Sequence, residues 1–327
     1  MGTGKTSIAN LVLDKINKSK FYELTVNLSA QTSSNNVQEI IESKVEKRTK
    51  GVYVPQGGKK MIIFLDDLNM PAKDTFGSQP PLELLRQWID YGFWYDREKQ
   101  EKKEIRNTLL LGAMGHPSGG RQVISERFQS RFNLLNMIFP SDHQIKRIFG
   151  TMLSQKLLDF NEDVKPVGEA LTTATIDLYQ NVCERFLPTP AKIHYLFNLR
   201  DISKVFQGLL RAHKDYHDTT MALLRLWTHE CFRVFSDRLI DLKDRDTFIS
   251  MLSDKLATHF NQTFHNVCPE RRSPIFGDFT KPGAEKPIYE DLVDLKALKE
   301  FMENQLEDYR TYTLHLYFEF YNLSNRL

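Results

Sequence analysis

Residues 61–65 read Met-Ile-Ile-Phe-Leu, an unbroken apolar run that ends on two acids, Asp66 and Asp67. Side chains alternate faces along a strand, so five apolar residues in succession suit a strand covered on both sides. Strands of that kind belong to parallel sheets flanked by helices, and such sheets bind ligands at the carboxyl ends of their strands. Asp66 therefore falls where a ligand is expected, placed to hold a divalent cation. Further short apolar runs predict strands at residues 21–28, 108–113 and 134–139, each suited to burial on both faces. Helical stretches at residues 37–48 and 81–91 lie between them, and the alternation predicts an α/β fold built on a parallel sheet. Two interruptions are expected to face solvent: residues 51–60 as a loop and residues 95–105 as a charged insertion, in hairpin form.

Upstream of that strand, Gly2-Thr3-Gly4-Lys5-Thr6 precedes Ile8, Leu11, Val12 and Ile16 at helical spacing. This predicts a helix from Lys5 to about Lys18, opened by a glycine turn. Backbone N–H groups of such a turn, with the positive end of the helix behind them, attract phosphate oxygens. Lys5 is placed to reach the β and γ phosphates of ATP or ADP, and Thr6 to ligate Mg²⁺ together with Asp66. The full motif is G-x-x-x-x-G-K-[ST], and only Met1, Gly2 and Thr3 stand before Gly4. The expectation is a chain that starts inside the phosphate loop, without the strand before it, and that alone binds ATP weakly and is marginally stable. The same first residues fit a myristoylation pattern, which the phosphate loop explains better.

Asp67 occupies the position where such ATPases usually carry a glutamate that polarises the attacking water. Its side chain is one methylene shorter, which predicts slow hydrolysis with binding less affected. Gly115, in Ala113-Met114-Gly115-His116-Pro117, stands near the place of a polar residue that orients the water and has no side chain to do so; His116 is the substitute or a plain loop residue. Arg127 and Arg131, in Ser125-Glu126-Arg127-Phe128-Gln129-Ser130-Arg131-Phe132, resemble arginines that in AAA+ rings reach a neighbour's γ phosphate and neutralise transition-state charge, and similarity to that family's motif makes Arg127 the better candidate. Near Asn198 the apolar phase breaks, which marks a new helix with Asn198 as N-cap and Arg200 in its first turn. A cation there opposes the helix dipole, so Arg200 is expected either to meet a phosphate or to pair with Asp201.

Forty-four basic against 42 acidic residues leave +2, so no field gathers nucleic acid or a membrane surface. No apolar run approaches the roughly 18 residues of a span. Cys183, Cys231 and Cys268 are scattered and fit reduced thiols of a cytosolic compartment. From Pro140 the chain reads as helical: Asp142 is expected to cap a helix with Ile145, Ile148, Phe149, Met152 and Leu153 on one stripe. Helix is also expected at residues 170–186, 219–265 and 292–308, with an irregular segment at 269–287.

The runs GTGKTSIA, FLDDLNMP (64–71), AMGHPSGGR (113–121), RFQSRFN (127–133), HYLFNLRDISKVFQG (194–208) and YEDLVDLKALKEFME (289–303) resemble the third AAA+ module of axonemal dynein heavy chains. The resemblance extends over about residues 2–310. It implies a P-loop AAA+ parallel sheet followed by an all-helical lid: an incomplete α/β subdomain at 1–140, a lid with following helices at 141–310, and a divergent tail at 311–327. It also implies one of six linked modules in a ring, of which the third binds nucleotide and regulates while the first supplies most motor hydrolysis. Partners implied are the neighbouring modules, intermediate and light chains, and microtubules through a stalk absent from this sequence, in the cytoplasm, the cytoskeleton and the ciliary axoneme. Two other readings fit the same residues: a non-catalytic fragment with a structural role, and an active MoxR-like remodelling ATPase.

Overall fold

The computed structural model describes residues 2–117, 121–269, 273–280 and 287–324, with side chains described as far as Thr311. Residues 118–120 of the AMGHPSGGR run, parts of the irregular 269–287 segment and the last three residues of the tail lie outside the described residues. The chain divides into two compact units, 1–139 and 140–327.

In the first unit, β1 (Phe21–Asn27), β4 (Lys60–Asp66) and β7 (Thr108–Gly112) form a parallel sheet in the order β1-β4-β7. The register aligns Asn27 with Asp66 and Leu65 with Gly112, so the strands reach their carboxyl ends together. Met61, Ile63 and Leu65 point into a core shared with Val37 and Ile41 of α2 (Ser34–Glu42) and with Leu82, Leu85 and Trp88 of α3 (Pro80–Tyr91). Ile62 and Phe64 point the other way, onto Leu13 and Ala9 of α1 (Lys5–Lys15) and Ile16 at its C-cap. Alternating side chains thus give β4 a helix layer on each face.

Among the described strands only β4 is covered in this way. On β7, Leu109 is 62% and Leu111 36% exposed, and β1 buries only Leu24 and Val26 of its seven residues. The expected fourth strand at residues 134–139 is not formed: the segment is irregular and Leu135 is 90% exposed. A strand needs a ladder partner to satisfy its N–H and C=O groups, and no described strand pairs with the outer edge of β7. The expected stripe on α1 is also displaced. Ile8, Leu11 and Val12 lie on its exposed side, while Ala9, Leu13 and Ile16 pack inward.

The helix expected over 37–48 stops at Glu42, because Val45 begins a strand. β2 (Val45–Thr49) and β3 (Val52–Pro55) make an antiparallel pair, so the expected loop at 51–60 holds a strand. β5 (Phe93–Tyr95) and β6 (Lys102–Ile105) make the expected hairpin, and parallel pairing of β3 with β6 joins both pairs into one sheet, β2-β3-β6-β5. Its anchor is Trp94, fully buried, with its ring 4.9 Å from that of Trp88 and its indole N–H donating to Glu42 Oε1 at 2.9 Å. Lys103 bridges Glu42 and Asp96 at 2.8 and 2.6 Å. Its hydrogen bond, with the N–H groups of Lys99 and Glu98, holds the Asp96 carboxyl at about 2.

After the short α4 (Glu126–Gln129), the second unit is helical: α5 (Asp142–Lys156), α6 (Val167–Arg185), α7 (Leu199–Leu209), α8 (Thr220–Cys231), α9 (Leu242–Phe260), α10 (Phe264–Val267) and α11 (Leu295–Ser324). Ser141 rather than Asp142 caps α5, in a capping box with Gln144, since only the residue outside the first turn can accept from its N–H groups. Ile145, Phe149 and Leu153 face the core, while Ile148 and Met152 are about half exposed. Phe149 stacks on Phe206 of α7 at 4.8 Å, and Trp227 of α8 donates to Thr175 of α6 at 2.8 Å. Tyr289 reaches back to α8, its hydroxyl 2.8 Å from Glu230 and 3.0 Å from His229. Burial there pushes Glu230 up and pulls His229 down to about 4. The three cysteines are free thiols, and burial pushes Cys268 up to about 11. No helix among the described residues is long and apolar enough to cross a membrane.

Because Trp94 joins the small sheet to the main core, Trp94→Ala lowers unfolding stability by about 3–5 kcal/mol, read by urea titration with circular dichroism. A change within about 0.5 kcal/mol, the usual range of a surface substitution, contradicts this anchoring role.

Candidate nucleotide site

Gly2 and Gly4 take left-handed conformations, φ 74° and 81°, and Gly4 is the N-cap of α1. A methyl group on Gly4 would meet nothing within 4 Å, so it is the backbone angle, not space, that calls for glycine here. The turn brings Lys5 and Thr6 into the first turn of α1, where N–H groups have no acceptor within the helix. The Lys5 ammonium folds over the loop and donates to Thr3 Oγ1 at 3.0 Å.

Sixty residues apart in sequence, Thr6 and Asp66 meet: the threonine hydroxyl lies 3.1 and 2.9 Å from the two carboxylate oxygens. A hydroxyl beside a carboxylate is an all-oxygen donor pair, suited to Mg²⁺, which takes one or two protein ligands and completes its shell with water and phosphate. The first-turn N–H groups and Lys5 lie on the same loop, so the donors match a magnesium–nucleotide complex. Bound there, Mg²⁺ supplies charge neutralisation to the phosphates; the protein supplies the position of both.

Asp67 follows at φ 52°, a left-handed angle uncommon outside glycine, and its N–H donates to Asp66 Oδ1 at 3.0 Å. Its own carboxylate accepts from a guanidinium nitrogen of Arg121 at 2.9 Å. Gly115 lies under that arginine: a Cβ there would stand 2.7 Å from Arg121 Nε. The buried Asn69 side chain donates to the Gly115 carbonyl at 2.8 Å and the Asn69 backbone carbonyl accepts from the Gln122 N–H at 2.9 Å, tying three segments together. Neither Arg121 nor Asn69 is a candidate from sequence. Their partners are 54 and 46 residues distant, and no local spacing signals them. His116 is exposed on its loop.

The arginines separate into two groups. Arg131 pairs with Asp90 at 2.8 Å, whereas Arg127 is exposed on α4 and makes no ion pair among the described residues. Asn198 caps α7 as expected, accepting from the Arg200 N–H at 2.8 Å. The pairing of Arg200 with Asp201 is not formed, because Asp201 is buried, closes the capping box and accepts from Arg238 at 2.6 Å. Arg200 is exposed in the second unit.

A phosphate-binding turn opening a helix, an aspartate at the end of the neighbouring buried strand and a helical unit after the sheet together define an AAA+ P-loop domain with its lid. Residues 1–140 match the family described as P-loop containing dynein motor region, and residues 171–268 match the AAA+ lid domain. The chain is 67% identical to dynein axonemal heavy chain 2 of Mus musculus and 65% identical to that of Homo sapiens, in each case over 94% of its length. It is 46% identical, again over 94%, to the dynein-1-beta heavy chain of the flagellar inner arm I1 complex of Chlamydomonas reinhardtii. The chain belongs to the axonemal dynein heavy chain family, and it spans 7% of the length of these three relatives.

If Thr6 and Asp66 hold the metal, Asp66→Asn weakens binding of a fluorescent ATP analogue about 10–100-fold with Mg²⁺ present and much less with EDTA. Equal losses in the two conditions would mean that Asp66 supports the fold and not the cation.

Proposed function

We propose that the chain is a nucleotide-binding AAA+ module of an axonemal dynein motor, the third in a ring of six, that binds ATP or ADP with Mg²⁺ and turns it over slowly or not at all. The observation that carries this reading is the meeting of Thr6 with Asp66 beneath the phosphate loop. Lys5 and the loop N–H groups engage the phosphates and Thr6 and Asp66 the metal, and Arg200 is a further nucleotide-binding candidate by its resemblance to the family's F-N-x-R-D run. Arg127 serves the neighbouring module's nucleotide. Assignment to the third position rests on the D-D-L-N-M-P and F-N-x-R-D runs.

Slow turnover is supported by the residues around the reacting water. In hydrolysis that water attacks the γ phosphorus, gives its proton to a base and displaces ADP. Asp67 is the nearest carboxylate in sequence to the metal-side Asp66, but its side chain is short, and Gly115 offers no polar group to orient the water. A regulatory role within ATP-driven ciliary movement, with neighbouring modules, intermediate and light chains and microtubules as partners, is what the resemblance implies, and it agrees with the axonemal and flagellar dynein names of the relatives.

Asp67→Glu restores the missing methylene and raises single-turnover hydrolysis by about tenfold or more, with nucleotide affinity changed less than about threefold. Wild-type turnover near the enzyme median of about 10 s⁻¹ would refute the slow-hydrolysis reading.

A further inference from the structure

We propose that Arg121 is a positioning residue that restrains hydrolysis by holding the Asp67 carboxylate in an ion pair. This rests on the nucleotide-site reading above and adds a regulatory contact to it. A continuous set of bonds runs from the phosphate loop to the arginine: the Thr6 hydroxyl donates to Asp66, the Asp67 N–H donates to Asp66 Oδ1, and the Arg121 guanidinium donates to Asp67 Oδ1. A carboxylate in this position works as a base by accepting a water proton. With Oδ1 bonded to the Arg121 guanidinium, the orientation of the Asp67 carboxylate is set by the arginine and one of its two oxygens is already committed to a charge-assisted bond.

The arginine is held where it is by more than its charge. Its stem lies against Gly115, where a Cβ would stand 2.7 Å from Nε and 2.9 Å from Cδ. The next residue, Gln122, is bonded through its N–H to Asn69, which also holds the Gly115 carbonyl. Asn69 lies two residues after Asp67, so its bonds link the segments that carry the acid, the glycine and the arginine. The absent side chain at Gly115 leaves the space that Arg121 fills. Asp67 is 48% exposed and Arg121 19%, and an ion pair on a half-exposed carboxylate adds little to folding stability. The consequence of the contact therefore falls on the chemistry of Asp67.

The test compares this chain with Arg121→Gln, Arg121→Lys and Gly115→Ala, following fluorescent-nucleotide binding, single-turnover ATP hydrolysis and thermal unfolding. Arg121→Gln is expected to raise the hydrolysis rate about three- to tenfold with affinity changed less than about twofold, since it removes the restraint on a base and not a phosphate contact. Arg121→Lys keeps the charge and holds the rate nearer to wild type. Gly115→Ala moves the arginine without altering its charge and raises the rate in the same direction as Arg121→Gln. With nucleotide bound, a rate that is unchanged or lower in Arg121→Gln, at an unfolding temperature close to wild type, overturns the restraint and leaves the nucleotide site standing. Should Arg121→Gln not fold, the Gly115→Ala rate decides by the same criterion. Absence of nucleotide binding by the wild-type chain overturns both readings together.

Discussion

Among the described strands β4 is the one with a helix layer on each face, and the chemistry of the first unit depends on that burial. Its five apolar residues alternate between α1 on one side and α2 with α3 on the other, which fixes both the tilt of the strand and the register of its neighbours. Asp66 is then delivered to the carboxyl edge of the sheet at the height of α1's first turn. The Thr6–Asp66 contact is a consequence of packing two elements on one hydrophobic strand, and it needs no attraction of its own to form. A polar residue anywhere between Met61 and Leu65 would bury an unpaired group against a helix, and the site would be lost with the layer.

How far the sequence could be read follows from how local each determinant is. β4 was legible because a run buried on both faces carries its own signal. The P-loop helix was legible in its start, from the glycine turn before Lys5, but it ends at Lys15 and not near Lys18, and it buries Ala9 and Leu13 in place of Ile8, Leu11 and Val12. Asn198 was legible as a cap because a phase break and a capping residue coincide. The small sheet was not: its central pairing joins Val52 to Glu104 and Tyr53 to Ile105, and no nearby residue announces a partner that distant. The segment at 134–139 has a strand's composition without a strand's partner, which illustrates that apolar content is necessary and a ladder decisive. Arg121 was invisible for a related reason, since its role depends on a glycine six residues before it and an aspartate 54 before it.

The second unit uses its polar groups differently. Tyr195, Lys192, Asp244 and Asp241 tie the segment before α7 to the start of α9, and Arg225 joins α8 to Asp291 and to the carbonyl of Val267. His229, Glu230 and Tyr289 sit deeper, where burial opposes the charge of both the imidazole and the carboxyl. These contacts fasten irregular segments onto helices that already pack through Phe149, Phe206, Trp227 and Leu252. Their partners lie within the unit, so they define its shape and leave its exposed cations for other contacts.

The use of arginine then follows from what each guanidinium must give up. Arg86, Arg131, Arg225 and Arg238 face carboxylates inside their own units, at distances between 2.6 and 3.0 Å, and would lose those bonds to serve a phosphate. Arg127 and Arg200 are solvated and make no ion pair among the described residues, so turning toward an anion costs them only water. For Arg200 the arrangement goes further. Its helix cap occupies the acid beside it, which removes the nearest internal competitor, and the positive end of α7 disfavours its charge until an anion arrives. The cap that starts the helix is thus what keeps the arginine available, and a change at Asp201 would disturb both at once.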